Sequence, residues 1–332
     1  MDKKVKPIFI FGLPRSGSTL LQKIISHSKQ VSTVSEPWIL LPLTYLQKKD
    51  GLLTIYSHSK AIDAINDLNM SLNEKGNSID ELIREFTLSL YQKLSGDSSI
   101  YFLDKTPRYF LIIPEIVKLF PEAKFIFLFR NPLSQFSSKL NTRRDNKFKN
   151  LYSSYIDLNE GPNLLASGFK SYSSISLKLT YEDIIFRTDQ TIQKIEDYLS
   201  ISIKDDSSLD LGMVELKGSM GDPLLNFGGN DKIDESSINK WKETFSTVLR
   251  KKIAANYLYQ IGDDYFDCLG KSRKQLIEEL NDINTSIVHE IKSSPLDLYH
   301  LLYNKILSKF KPYLIFPRIF KKHQWIKNNF LN

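Results

Sequence analysis

An uninterrupted apolar run, Ile8-Phe9-Ile10-Phe11, leads straight into Gly12-Leu13-Pro14-Arg15-Ser16-Gly17-Ser18-Thr19, and an apolar stretch of helical period follows from about Thr19. The run reads as a buried strand, and the Gly/Pro-rich segment reads as a tight loop opening a helix. This strand, loop and helix at the head of the chain constrain everything after them. A helix entered so abruptly has to pack back on its own strand, and the next strand then lies parallel to the first.

Four more runs have strand character: Val31 to Val34, Ile100 to Leu103, Lys124 to Phe129 and Ser176 to Thr180. Helical patterns fall between most of them. Ser78 and Glu81 have capping-box spacing ahead of Leu82 to Leu94, and Pro132 suits the first turn of a helix running to about Leu140. Strands alternating with helices predict an α/β fold with a central parallel sheet of about five strands covered on both faces. Asn141 to Lys170 reads as an insertion or lid and Gly218 to Asp231 as a loop. Helical patterns return at Ser236 to Tyr259 and Ser272 to Ile291, with Trp241 expected to close the core. The expected division is 1–270 as the main domain and 271–332 as a helical, basic and aromatic C-terminal extension.

The chain has 332 residues, 41% of them hydrophobic and 25% charged, which excludes collagenous and wholly disordered classes. Its single cysteine, Cys268, excludes intrachain disulfides and Cys-rich metal sites. No segment approaches the ~18 apolar residues of a membrane span. Cytoplasmic localisation is the simplest expectation. The net charge of +7 directs attention to anionic partners.

The spacing Gly12-x4-Gly17 followed by Ser18-Thr19 is that of a P-loop, with Ser18 standing where the phosphate-binding Lys belongs. A helix N-terminus holds a phosphate through its orphan N–H groups whichever residue supplies the cation, and Arg15 is the candidate replacement. An NTPase also needs an Asp after a hydrophobic strand to hold Mg²⁺. Here Phe125 to Phe129 ends in Arg130. Cations at two places, with no metal, suit a donor carrying phosphates at two positions. A degenerate P-loop kinase or NTPase, and a non-enzymatic protein binding nucleotides or anionic surfaces, are the alternatives.

At these residues the chain resembles the sulfotransferases that use 3′-phosphoadenosine 5′-phosphosulfate (PAPS) and release adenosine 3′,5′-bisphosphate (PAP). The resemblance implies a P-loop NTPase-like three-layer fold. It implies that Pro14 to Thr19 (Arg15, Ser16, Gly17, Ser18, Thr19) holds the 5′-phosphosulfate, and that Arg130 and Ser138, eight residues apart, hold the 3′-phosphate. Lys217-Gly218-Ser219-Met220-Gly221-Asp222, with Phe227 following, is similar to the family's KGxxGD loop, although Leu216 replaces that loop's usual Arg. Tyr181-Glu182-Asp183 is similar to a YED segment whose Tyr lies near the adenine.

Sulfuryl transfer to a hydroxyl needs a base for the acceptor and cations for the leaving oxygen. The His of the family's cytosolic branch is absent from Asp104-Lys105-Thr106-Pro107. The carbohydrate and protein-tyrosine branches use a Glu at the end of the second strand, and Glu36, 21 residues after Arg15, resembles the protein-tyrosine branch in spacing and lies where open α/β sheets gather ligands. The resulting expectation is Glu36 as base, Lys105 and Arg15 stabilising the transferring group, and Arg130, Ser138 and Lys217 on the 3′-phosphate. Arg143 and Arg144 are candidates for an acidic acceptor. The acceptor expected is a carbohydrate or lipid-like hydroxyl, with no nucleic-acid partner.

From Leu298 onward there are seven Lys or Arg and no Asp or Glu, so the first 297 residues carry 38 of each sign. The excess charge is the tail. Its interleaved aromatics fit either a segment docked on the domain or one lying on the inner face of a membrane.

Overall fold

The computed structural model describes residues 4–52, 54–141, 148, 154–203, 216, 236–287, 290–291 and 294–303. Five strands, β1 (Lys6–Gly12), β2 (Val31–Thr33), β3 (Tyr101–Asp104), β4 (Lys124–Phe129) and β5 (Ser176–Thr180), form one sheet in the order β2-β3-β1-β4-β5. Every pairing is parallel. All five strands lie where the sequence pattern predicts them.

Composition explains the sheet's two faces. Side chains alternate across a strand, so β1 sends Phe9 and Phe11 to one face and Ile8 and Ile10 to the other. β4 does the same with Phe125, Phe127 and Phe129 against Ile126 and Leu128. One face is therefore a stack of rings, with Phe11 and Phe127 centroids 4.9 Å apart and Phe9 and Phe125 6.1 Å apart, while the other is aliphatic. Each such buried side chain contributes roughly 1.5–3 kcal/mol of hydrophobic stabilisation.

Helices cover both faces. They are α1 (Ser18–Ile25), α2 (Leu40–Tyr45), α3 (His58–Asn73), α4 (Ile79–Leu94), α5 (Ile113–Leu119), α6 (Pro132–Asn141), α7 (Gly161–Tyr172), α8 (Tyr181–Phe186) and α9 (Thr188–Leu199). After the region 204–235 come α10 (Ser236–Thr244), α11 (Val248–Gln260), α12 (Asp263–Leu269) and α13 (Arg273–Asn281). Ser78 caps α4 by accepting the Glu81 N–H, and Ser272 and Gln275 form a full capping box on α13. The helical pattern from Ser236 divides into two because Thr247 starts a new helix, its hydroxyl accepting the Arg250 N–H. Trp241, Leu276 and Leu280 are all buried in the aromatic core.

The segment expected to be a lid is a packed crossover from residue 156 onward. A π-helical turn, Ile156–Glu160, leads into α7, whose Leu165 and Ala166 are buried. Two glycines make this packing possible: a Cβ on Gly161 would come within 2.7 Å of Leu13, and one on Gly168 within 2.6 Å of Ile113. The sequence showed Gly161-Pro162 within an expected insertion or lid, and Pro162 sits in the first turn of α7, where its missing N–H costs nothing.

Among the described residues no helix is long and apolar enough to cross a membrane. Because β1 is central and the chain leaves it towards β2 but leaves β4 towards β5, a crevice opens at the carboxyl ends of β1 and β4. The sequence-derived site residues that lie within the described chain converge on this edge.

Candidate active site

The loop after β1 is shaped by backbone constraints. Gly17, the residue that starts α1, has φ +90°, and a Cβ there would overlap the Tyr181 ring at 2.2 Å. Gly12 is limited differently, since its Cβ would lie 2.9 Å from the Ser16 Oγ. Arg15 takes the left-handed conformation at φ +70°, unusual for a residue with a side chain. α1 has no side-chain cap. Its first-turn N–H groups and the positive end of its dipole face the crevice, as an anion site requires.

Arg15 joins the two anion motifs. Its Nε donates to Ser138 Oγ at 3.0 Å, and its carbonyl oxygen accepts from Arg130 Nη1 at 2.8 Å. Arg130 is buried at the end of β4, its guanidinium 3.9 Å from the Tyr181 ring centroid, and its Nη2 donates to the Ser237 carbonyl at 3.3 Å. The Tyr181 and Ser237 hydroxyls are themselves 2.8 Å apart. Burial pushes the Arg130 guanidinium below its usual range, against the pull of Tyr181 and Glu182. Arg130 Nε and Ser16 Oγ are both buried without a hydrogen-bond partner. An unpaired buried donor is costly in a finished core, and both of these lie beside the loop.

On the other side of the loop, Lys105 Nζ donates to Glu36 Oε1 at 2.8 Å and to Thr19 Oγ1 at 3.2 Å. This pair is buried, with Lys105 1% and Glu36 9% exposed. The second carboxylate oxygen, Oε2, accepts from Trp38 Nε1 at 3.0 Å. Trp38 has φ +57° and is held there by its N–H donating to Thr106 Oγ1 at 3.2 Å. Thr106 in turn donates to Asp104 Oδ1 at 3.3 Å, while Asp104 Oδ2 accepts from Tyr91 at 2.5 Å and Tyr109 at 2.9 Å. Glu36 is thus the end of a relay that starts in α4 and passes through the end of β3.

The buried Asp104 carboxyl has a pKa raised to about 6: burial outweighs the lowering by the two tyrosines, Thr106 and Lys105. Burial and the Asp104 charge hold Tyr91 and Tyr109 well above the ordinary phenol range. The segment carrying Glu36 is fixed from below by Gln22, whose Nε2 donates to Thr33 Oγ1 at 2.8 Å and to the Val34 carbonyl at 2.7 Å.

A third buried carboxylate, Asp157 in the π-helical turn, accepts from Arg108 Nε at 3.0 Å and Lys139 Nζ at 3.1 Å. It ties the segment after β3 to the residue next to Ser138.

The structure therefore brings Arg15, Ser16, Gly17, Ser18, Thr19, Glu36, Lys105, Arg130, Ser138 and Tyr181 to one sheet edge. Lys217, Gly218, Arg143 and Arg144 lie outside the described residues. Sequence reasoning missed Trp38, Thr106, Asp104 with its two tyrosines, Ser237 and Asp157. Trp38 stood two residues from Glu36 and could have been suspected as a neighbour; the others carried no local signal. Among the described residues no group of three or more His, Cys, Asp or Glu could hold a metal ion.

A family model described as "Sulfotransferase family" matches residues 7–205. The chain is similar to "Nodulation protein NoeE" of Sinorhizobium fredii (strain NBRC 101917 / NGR234), at 28% identity over 138 residues, 40% of this chain and only 31% of that protein. It is also similar to a Caenorhabditis briggsae protein named "Putative protein-tyrosine sulfotransferase", at 21% identity over 77% of this chain and 89% of that one. Among solved structures, the sulfotransferase domain from the curacin biosynthetic pathway matches with a TM-score of 0.46 and 20% identity, covering 76% of this chain and 97% of that domain. Mouse sulfotransferase SULT7A1 complexed with PAP matches with a TM-score of 0.42 and 13% identity, covering 80% and 87%.

Proposed function

The chain belongs to the sulfotransferase family, and on that premise we propose that it moves a sulfuryl group from PAPS to a hydroxyl of a carbohydrate or lipid-like acceptor. The observation that carries this reading is the Lys105 bridge. One ammonium joins the buried Glu36 carboxylate to Thr19 in the first turn of the anion loop, and Arg130, with its unpartnered Nε, stands on the loop's other side.

In this reading the N–H groups opening α1, with Ser16, Gly17, Ser18 and Thr19, hold the 5′-phosphosulfate. Arg130, Ser138, Lys217 and Gly218 hold the 3′-phosphate. Arg offers a planar fork that suits a phosphate dianion. The Tyr181 ring, already against Arg130 and Gly17, supplies an aromatic edge for the adenine. Glu36 takes the proton from the acceptor hydroxyl as its oxygen bonds to sulfur and the bond from sulfur to the bridging phosphate oxygen breaks. Lys105 and Arg15 stabilise the charge left on that oxygen. General base work of this kind is worth about 10²–10⁴-fold in rate.

Trp38 and Lys105 together fix both Glu36 oxygens, so the carboxylate keeps one orientation. The sequence similarity to a protein named for protein-tyrosine sulfation favours a tyrosine hydroxyl as the second acceptor class.

Calorimetry with adenosine 3′,5′-bisphosphate against ATP plus Mg²⁺ tests the donor. Binding of the bisphosphate without added metal is expected. Tight binding of ATP and none of the bisphosphate would return the chain to the kinase or NTPase reading. Labelled donor with desulfated glycans, glycolipids and tyrosine peptides then separates the acceptors.

A further inference from the structure

β4 ends at Phe129, opposite Thr180 at the end of β5, so the peptide joining Arg130 to Asn131 lies beyond the sheet ladder. Both of its polar groups are nonetheless taken by side chains. The Arg130 carbonyl accepts from the Tyr265 hydroxyl at 2.8 Å, and the Asn131 N–H donates to Glu182 Oε1 at 3.0 Å. A trans peptide points its C=O and N–H in opposite directions. Two side chains from separate elements, α12 and α8, therefore grip one peptide unit from opposite sides.

That peptide sits where two of the site's residues are aimed. Upstream, it fixes how the Arg130 side chain leaves the strand towards the Arg15 and Ser237 carbonyls and the Tyr181 ring. Downstream, it starts α6: Asn131 Oδ1 accepts the Leu133 N–H at 2.9 Å, and the Asn131 carbonyl accepts the Gln135 N–H at 3.1 Å. Ser138 follows on the same helix. A twist of this one peptide would move the guanidinium fork relative to the Ser138 hydroxyl.

Tyr265 is held firmly enough to serve. It is 0% exposed, with its ring 5.4 Å from Phe129 and 6.3 Å from Phe266. Burial keeps its phenol well above the usual range, so the hydroxyl remains a donor. Glu182 follows Tyr181 directly, so the ring on the Arg130 guanidinium and the carboxylate on its peptide come from adjacent residues of α8. The family match ends at residue 205, and Tyr265 lies well beyond it.

We propose that Tyr265 and Glu182 are positioning residues for the donor's 3′-phosphate, acting through the Arg130–Asn131 peptide without touching the nucleotide. This rests on the donor reading above, in which Arg130 holds that phosphate. It makes the C-terminal helical region part of the donor site.

The test is a pair of double-variant cycles read by calorimetry with adenosine 3′,5′-bisphosphate, well below each variant's thermal midpoint. Tyr265→Phe keeps the ring and removes the hydroxyl, and should weaken binding about three- to tenfold. Glu182→Met should weaken it about tenfold, while Glu182→Gln, which keeps an oxygen for the Asn131 N–H, should recover most of the loss. In an Arg130→Met background the fork is already gone. There Tyr265→Phe and Glu182→Met should each cost less than about twofold more, because residues acting through one partner do not add.

Losses of full size in the Arg130→Met background would overturn the proposal and leave both residues a general structural role. Equal losses in Glu182→Gln and Glu182→Met would also overturn it, since the charge and not the accepted hydrogen bond would then matter. Wild-type binding by both Tyr265→Phe and Glu182→Met would do the same. The Glu182 cycle stands by itself if Tyr265→Phe does not fold. A wild-type chain that binds no bisphosphate is a different result: it removes the donor reading, and the proposal falls with it.

Discussion

The anion side and the carboxylate side of the site share one loop but are held by different means. On the anion side, Arg130 is anchored to the backbone carbonyls of Arg15 and Ser237 and lies over the Tyr181 ring, so its position follows from main-chain geometry. On the carboxylate side, Glu36 is held by Lys105 and Trp38, and Trp38 depends on Thr106, Asp104, Tyr91 and Tyr109 through a run of buried side chains. The anion side should therefore fail locally, with effects on donor affinity. The carboxylate side should respond to changes distant from the reaction, with effects on rate.

The sharpest way to break this comparison is Glu36→Gln. It keeps an oxygen for Lys105 but removes the proposed base, so kcat should fall by about 10²–10⁴-fold while calorimetry shows bisphosphate affinity close to wild type. A fall in affinity as large as the fall in rate would erase the distinction between the two sides.

The next largest effect concerns Asp104. Its folded pKa of about 6 lies above the unfolded 3.8, so the native state binds the proton more tightly. The stabilising contribution is full below pH 3.8 and is lost as pH rises through about 6. A shift of this size corresponds to about 3 kcal/mol. Relative to Asp104→Asn, wild-type stability in urea should fall by about that amount between pH 3.5 and pH 7. A parallel pair of stability curves would show that Asp104 does not carry the relay's charge.

Arg130→Met tests the anion side. Loss of charge-assisted hydrogen bonds, each worth about 1.5–3 kcal/mol, should weaken bisphosphate binding by about 10–10²-fold. Arg130→Lys should recover only part, because the planar fork is lost. The smallest effect expected is that of Trp38→Phe. It removes one neutral donor from Glu36 Oε2, worth about 1 kcal/mol, so kcat should drop several-fold with bisphosphate affinity unchanged. Affinity falling in its place would mean that Trp38 belongs to the anion side.

How much of this could be read in the residue string follows the same division. The anion side was legible because each part is a short-range pattern: a glycine loop between strand and helix, and an Arg and a Ser eight apart across one strand end. The positive φ of Gly17 and its packing against Tyr181 appeared only in the folded chain. Glu36 was legible from its distance to Arg15. The relay behind it was not, since Tyr91 comes from α4, Asp104 and Thr106 from the end of β3, and Tyr109 from the turn that follows. The helix α7 inside the expected insertion was not legible for a related reason. Gly161 and Gly168 signal flexibility in a string, and only their neighbours Leu13 and Ile113 reveal that they serve close packing.

The sequence by itself determined the five parallel strands, the loop that opens α1 and the order of site residues along the sheet edge, because periodicity, glycine placement and strand ends are local properties of the chain. Only the tertiary structure decided that Arg15 joins Ser138 to Arg130, that both oxygens of Glu36 are occupied, and that Asp297 is buried against Arg250. Those are contacts between residues up to 123 positions apart, and their geometry exists only once the sheet has brought its strand ends to one edge.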